Sequence, residues 1–236
     1  MRVLITRPKE DAREFEVLLR ERGHEPVTEP LLSIACDDGP AIDVERYGLL
    51  VFTSANGVRA AARRVHSRSI PVLAVGPATS AEARKAGFIN IATSTGEGTS
   101  GILEHLKTHP SLLSRPMLHI SGADVAGDLS SMAAGIGANL DRLQLYRAVA
   151  ATSLGEGLRE HLLNGTLDAV TFFSPRTAKI FCDLVQAAGL AATTGRIAAC
   201  AISSNAANSL KTLTFRKVLV AHNATSLAMR DLLETL

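Results

Sequence analysis

The chain has 236 residues, 46% hydrophobic and 20% charged, enough to bury a core in one large domain or two small ones. A formal net charge of +2 and an aromatic content of 4%, with no tryptophan, provide neither the basic field nor the stacking platforms of a nucleic-acid binder. Three cysteines without CxxC spacing argue against a disulfide framework, and no window approaches the roughly 18 apolar residues of a membrane span. The N-terminal MRVLITRPKEDAREF meets charge at once and lacks the apolar core of a secretory signal, so the chain reads as cytoplasmic, with no membrane or nucleic-acid partner.

RVLIT reads as a strand, followed by a helix from Glu10 to Arg22 with Phe15, Leu18 and Leu19 on one face. Gly23 ends that helix in the expected C′ position. EPVTEPLLSI is a second extended segment, and LLSIACDDGPAID, residues 31–43, reads as a crossing that runs into a polar loop. LLVFTS then leads into a helix, PVLAVG into a helix from about Thr79 to Lys85, and INIATS into a helix from Ser100 to Lys107. Strands separated by helices imply an α/β architecture of parallel sheets covered on both faces.

The second half repeats the first. PMLHISGADVAGDLSSMAAGIGANLDRLQLY matches the strand, loop, helix, glycine and second strand of residues 3–32, and AVTFFSPRTAKIF matches LLVFTSANGVRAA, which sets Ser174 opposite Ser54. ACAISSNAANSL aligns with AVGPATSAEA, and KVLVAHNATSLAMRDLL with NIATSTGEGTSGILEHL, so that Thr225 falls opposite Thr99. Four matched elements in one order indicate a duplication. LQLYRAVAATS, residues 143–153, is a second extended crossing without a helix after it. Two crossings predict two lobes joined by a two-stranded linker, with the cleft between them as the default ligand site.

Ser54 and Ser174 each end a strand and open a helix. Neither lies in G-x-S-x-G, and no histidine or acid recurs to serve as base, so a nucleophilic serine is excluded. Both are read as N-caps, Ser174 with Pro175 at the first helical position, and the free N–H groups of such helix ends attract carboxylate or phosphate. GEGTSG, Gly96 to Gly101, matches a dinucleotide fingerprint in form, but it falls in a late unit and its repeat partner AHNATS has none of the glycines. It is read as a loop capped by Thr99 or Ser100. His105 and His109 stand at metal-ligand spacing without the usual glutamate, so no metal is expected, and RRVHSR reads as a basic helix end. Tyr146, in the linker stretch LQLYR, could pack against one lobe or donate a proton to a departing hydroxyl. Thr79 could cap its helix or offer its hydroxyl to a ligand.

The ordered set ITRP (Ile5 to Pro8) with Gly23, FTSANGV, AVGPATSAEARKAGF, SGADVAGDL, LQLYR, FFSPRTAKIF and HNATSLAMRDLL resembles the uroporphyrinogen-III synthase family over essentially the whole chain. The resemblance implies two flavodoxin-like parallel-sheet domains joined by a two-stranded linker. One lobe would comprise residues 1–35 plus 152–236, the other 38–147, with linkers near 35–38 and 147–152. It implies cyclisation of hydroxymethylbilane, a linear tetrapyrrole with eight carboxylates, through loss of water and a spiro intermediate that inverts the last ring. No cofactor and no metal are implied, and a monomer is expected. By position, Tyr146 would assist hydroxide departure. Substrate contacts would fall to Thr79, to Ser54 with Ala55, to Ser174 with Pro175, and to Gly122, Ser203, Ser204 and Thr225. Two departures stand out. Ile202-Ser203-Ser204-Asn205-Ala206 replaces the family's I-G-x-x-T, and LHISG lacks the arginine common before Gly122. A non-catalytic bilobal sensor and a dinucleotide-binding enzyme are the rival readings.

Overall fold

The computed structural model describes residues 1–94, 98–124 and 127–236. Along the chain run β1 (Arg2–Ile5), α1 (Lys9–Arg20), β2 (Glu25–Thr28) and β3 (Leu32–Cys36). Next come β4 (Leu49–Phe52), α2 (Ala55–Ala62), β5 (Val72–Val75), α3 (Gly76–Lys85), β6 (Ile91–Ser94) and α4 (Gly98–Thr108). After β7 (Met117–Gly122) and α5 (Leu129–Ala134), the long β8 (Leu140–Ala150) leads to α6 (Glu156–Asn164) and β9 (Ala169–Phe172). The chain closes with α7 (Pro175–Ala187), β10 (Ala198–Ala201), α8 (Ser204–Asn208), β11 (Lys217–Val220) and α9 (Ser226–Leu233).

Contacts divide the chain into two compact units, residues 1–33 plus 149–236 and residues 34–148. In the first, the sheet order is β11-β10-β9-β1-β2, every pair parallel. Its inner strands are apolar without alternation: AVTF of β9 and AACA of β10 are buried at every position. Both of their faces are covered, one by α6 and α7 through Leu158, Leu162, Phe181 and Val185, the other by α1 and α9 through Phe15, Leu19, Met229 and Leu233. Thr171 is tolerated in the middle of β9 because its hydroxyl donates to Leu4 O at 3.0 Å, while Thr6 donates to Thr171 O at 2.8 Å. Gly23, at φ +72°, closes α1 as its C′ residue.

In the second unit the order is β3-β8-β7-β4-β5-β6. Strands β8, β7, β4, β5 and β6 are parallel, and α2 with α3 covers one face while α4 with α5 covers the other. β3 runs antiparallel to β8: Asp37 N–H donates to Leu145 O at 2.8 Å, and Ala151 N–H donates to Leu31 O at 3.0 Å. The division between the units falls inside these two strands.

Element boundaries differ from expectation in several places. α1 runs Lys9–Arg20 rather than Glu10 to Arg22, and the segment EPVTEPLLSI divides into β2 and β3 of different sheets. Three further differences have a local reason. α3 begins at Gly76, three residues before the expected Thr79, because Gly76 at φ +69° turns the chain and Pro77 is acceptable in the first turn, where no N–H is needed. α4 is already helical at Gly98, so Thr99 and Ser100 lie inside it and cannot cap it from outside. β8 continues from the expected second strand straight through the expected linker as one strand of 11 residues.

Candidate active site

Ser54 follows β4 in extended conformation, φ −156° and ψ 155°, and its Oγ accepts from the Gly57 N–H at 3.1 Å as the N-cap of α2. The same oxygen lies 2.7 Å from the Tyr146 hydroxyl. Tyr146 is carried there by β8, whose register with β7 shifts between Ser121 and Gly122 so that Tyr146 stands opposite Gly122. The Ala123 N–H donates to Tyr146 O at 2.9 Å and fixes that register. The phenol ring then lies on the bare Cα of Gly122. A Cβ there would come within 2.7 Å of Tyr146 Cε2, so the glycine is what allows the ring to approach.

A cavity of about 530 Å³ opens beside this pair, lined by Thr53, Ser54, Thr99, His119, Gly122 and Tyr146 among others. His119, on β7, was not expected. It stands opposite Val51 of β4 and Arg142 of β8, is 3% exposed, and has Nε2 3.2 Å from Thr53 Oγ1. Burial, reinforced by the nearby Arg142 guanidinium, pushes its pKa down to about 4, so the ring is neutral at pH 7. Arg142 was also missed. Its Nε donates to Ser121 Oγ at 2.8 Å and its Nη2 to Gly122 O at 2.9 Å and Ala123 O at 3.3 Å, so its guanidinium holds the peptides under the Tyr146 ring. A guanidinium from β8 therefore bonds to Ser121, where the resemblance would have placed an arginine. For His119 the sequence offers one local signal, an ionisable side chain in the otherwise apolar run MLHI, whereas Arg142 sits among Asp141, Gln144 and Arg147 in a polar-alternating strand that does not single it out.

The other expected residues fall into groups. Ala55, Pro175 and Ser204 are the first residues of α2, α7 and α8. Thr79 lies inside the first turn of α3, buried, and its hydroxyl does not cap the helix, whose N-cap is Val75. The capping alternative for Thr79 is thereby corrected. In the first unit, Ser174, Ser203 and Thr225 each accept from an N–H three residues on, at 3.1, 3.3 and 3.1 Å. They follow β9, β10 and β11, which are neighbours in the parallel sheet, so three capped helix starts follow the C-terminal ends of adjacent strands. The departure at Ser203 has a local reason. Where the first copy turns on Gly76 at positive φ, the second uses a serine at φ −157° that caps through its side chain.

A further cavity of about 550 Å³ is lined by Arg46, Tyr47, Asp141 and their neighbours and contains none of the expected residues. In it Tyr47 donates to Asp141 at 2.8 Å and Arg46 lies 3.2 Å from the same carboxylate. Of GEGTSG, Gly96 and Glu97 lie outside the described residues, as do Val125 and Ala126 of SGADVAGDL. His105 and His109 stack at 4.2 Å, and among the described residues no three His, Cys, Asp or Glu side chains form a group able to hold a metal. In RRVHSR, Arg63 pairs with Asp38 at 2.6 Å and Arg64 and Arg68 donate to backbone carbonyls, so the basic run ties down loops. No helix among the described residues is long and apolar enough to cross a membrane.

The sequence profile of the family described as uroporphyrinogen-III synthase HemD matches residues 13–231. The chain belongs to the uroporphyrinogen-III synthase family. Among curated proteins, a putative uroporphyrinogen-III synthase of Methanocaldococcus jannaschii is 41% identical over 58 residues, 25% of this chain and 24% of that protein. The matched stretch thus spans about a quarter of that relative's length. Among solved structures, uroporphyrinogen-III synthetase from Helicobacter pylori is 15% identical, with full coverage of this chain, 99% of that chain and a TM-score of 0.65. A mutant uroporphyrinogen III synthase from Thermus thermophilus covers all of this chain at 18% identity, with 96% of that chain covered and a TM-score of 0.48. The Helicobacter likeness establishes the shared two-sheet α/β fold.

Proposed function

We propose that the protein is a hydro-lyase that converts hydroxymethylbilane into uroporphyrinogen III. The observation that carries this reading is the family match over residues 13–231. The geometry around Tyr146 supports it. Loss of the terminal hydroxyl of the bilane leaves an azafulvene, and attack by the last pyrrole ring through a spiro centre inverts that ring before the macrocycle closes. Water is the only by-product. The departing hydroxide needs a hydrogen-bond or proton donor, and Tyr146 is the candidate. Ser54 is the hydrogen-bond partner of that phenol. Its oxygen accepts from Gly57 N–H and its hydroxyl shares a hydrogen bond with the phenol in which either can be the donor; with Ser54 as donor, the phenol proton is left for the substrate. The neutral His119 supplies no competing charge in the cavity.

Holding the chain so that spiro attack outruns direct closure is a positioning task. Ser174, Ser203 and Thr225 each accept a capping N–H with one oxygen lone pair, which leaves the hydroxyl hydrogens able to join the backbone N–H groups of the first turns in meeting carboxylates. Ser54 instead serves the tyrosine and the helix, not an anion. The protein works on a soluble polycarboxylate in the cytoplasm. The test is incubation with hydroxymethylbilane, oxidation of the products and chromatographic separation of the isomers. Type III above the spontaneous background supports the reading, and type I alone at the uncatalysed rate overturns it.

A further inference from the structure

Next to the Tyr146 cavity, and sharing His119, Gly127 and Leu129 with it, lies a recess of about 340 Å³ whose remaining walls are Asp128, Ser130 and Arg142. Two buried polar atoms of these lining residues, His119 Nδ1 and Ser130 Oγ, have no hydrogen-bond partner among the described residues. Folded proteins rarely leave such groups unmet, and two in one recess beside a guanidinium mark a place built to be filled by a polar group. The Asp128 carboxylate is already turned to its own helix, accepting from Ser131 N–H at 3.1 Å and from the Ser131 hydroxyl as the N-cap of α5. The groups left to offer hydrogens are therefore the Ser130 hydroxyl, the imidazole and Arg142.

We propose that this recess is a subsite for one carboxylate arm of the substrate, received by Ser130 Oγ and His119 Nδ1–H and balanced by the Arg142 guanidinium. The inference rests on the tetrapyrrole reading above, which supplies an acidic chain at the adjoining cavity. The imidazole can take this role without a charge. When Thr53 donates its hydroxyl hydrogen to Nε2, the ring proton sits on Nδ1, and an acceptor in the recess selects that tautomer. The recess thereby fixes one arm within the reach of the cavity that holds Tyr146, and a bilane anchored there is restricted in how its ends can meet.

Ser130→Ala separates this role from a structural one, because the substitution deletes an unpartnered buried hydroxyl and leaves the Asp128 cap intact. The subsite predicts that Ser130→Ala raises KM for hydroxymethylbilane about ten-fold, the worth of one hydrogen bond to a charged group, with kcat changed less than about two-fold and Tm unchanged or higher. Ser130→Thr, which keeps the hydroxyl, should restore KM. A panel of synthetic bilanes, each with one carboxylate arm capped as its methyl ester, identifies the arm. For one analogue the wild-type KM should rise by a similar factor and Ser130→Ala should add nothing further. An unchanged KM in Ser130→Ala, a KM penalty accompanied by lost stability, or a penalty that persists for every analogue overturns the subsite. A wild type that makes no type III removes the parent reading along with it, whereas active wild type with an indifferent Ser130→Ala removes the subsite alone.

Discussion

Replacing His119 by leucine should change how stability depends on pH more than it changes stability at neutral pH. The ring is 3% exposed, with Arg142 opposite it on β8, Thr53, just past the end of β4, 3.2 Å from its Nε2, and Asp128 and Asp124 on the walls of the cavities it lines. Its pKa falls from an ordinary 6.5 to about 4, chiefly through burial. The sign follows from the folded value being the lower one. Between these two pH values the unfolded chain binds a proton that the folded chain refuses, so this stabilisation is complete above about pH 6.5 and is lost as pH falls towards 4. The slope approaches about 1.4 kcal/mol per pH unit, and the total is on the order of 3 kcal/mol. At pH 7 His119→Leu loses the contact with Thr53 but also removes an unpartnered buried nitrogen, so the two proteins should differ by less than about 1 kcal/mol. Urea unfolding of both proteins from about pH 7 to about pH 4.5 measures the difference with other titrating groups held in common. Leucine should become the more stable form as the solution is acidified. Parallel curves, or a wild type that gains on leucine in acid, would refute a buried neutral imidazole.

Tyr146→Phe keeps the ring on Gly122 and loses the hydroxyl's contact with Ser54. Turnover of hydroxymethylbilane should fall by about a hundred-fold while unfolding free energy changes by about 1 kcal/mol or less, and comparable losses in both would make the tyrosine structural. Gly122→Ala drives a methyl into the Tyr146 ring, so it should cost about 1–3 kcal/mol and also depress turnover, with near-wild-type kinetics counting against the packing described. Ser54→Ala removes both the α2 cap and the partner of the phenol. It should destabilise by about 1 kcal/mol in denaturation and reduce kcat more than KM, and a pure KM effect would return Ser54 to anion holding.

The alternation of strand and helix was legible because inner parallel strands are covered twice and show unbroken apolar runs, as in LLVF of β4 and AVTF of β9. Capping serines were legible for a similarly local reason: each acts on an N–H three residues away. Errors arose where one residue type serves two backbone purposes. Gly76-Pro77 looks like a turn that delays a helix, yet the glycine turns and the proline starts the helix within the same three residues. Thr99 looked like a cap for want of any local signal that the helix had already begun by Gly98. The floor of the candidate site depends on register, which no local pattern specifies. Ser54 and Tyr146 are 92 positions apart and meet only because β7 lies between β4 and β8 with a shift at Gly122. His119 acquires its low pKa from strands on both sides, and Arg142 reaches Ser121 across a strand pair, so the LHIS and LDRLQ patterns do not reveal either role.

The central claim is that this fold directs a linear bilane to the inverted macrocycle with Tyr146 as its proton donor. A single assay tests it most directly: the fraction of type III isomer formed from hydroxymethylbilane by wild type and by Tyr146→Phe, each against an enzyme-free control. The account predicts predominantly type III from wild type at a rate well above the control, and a slowed reaction with a larger share of spontaneous type I from Tyr146→Phe. Type I alone from wild type, or an unslowed variant with an unchanged isomer ratio, would contradict it.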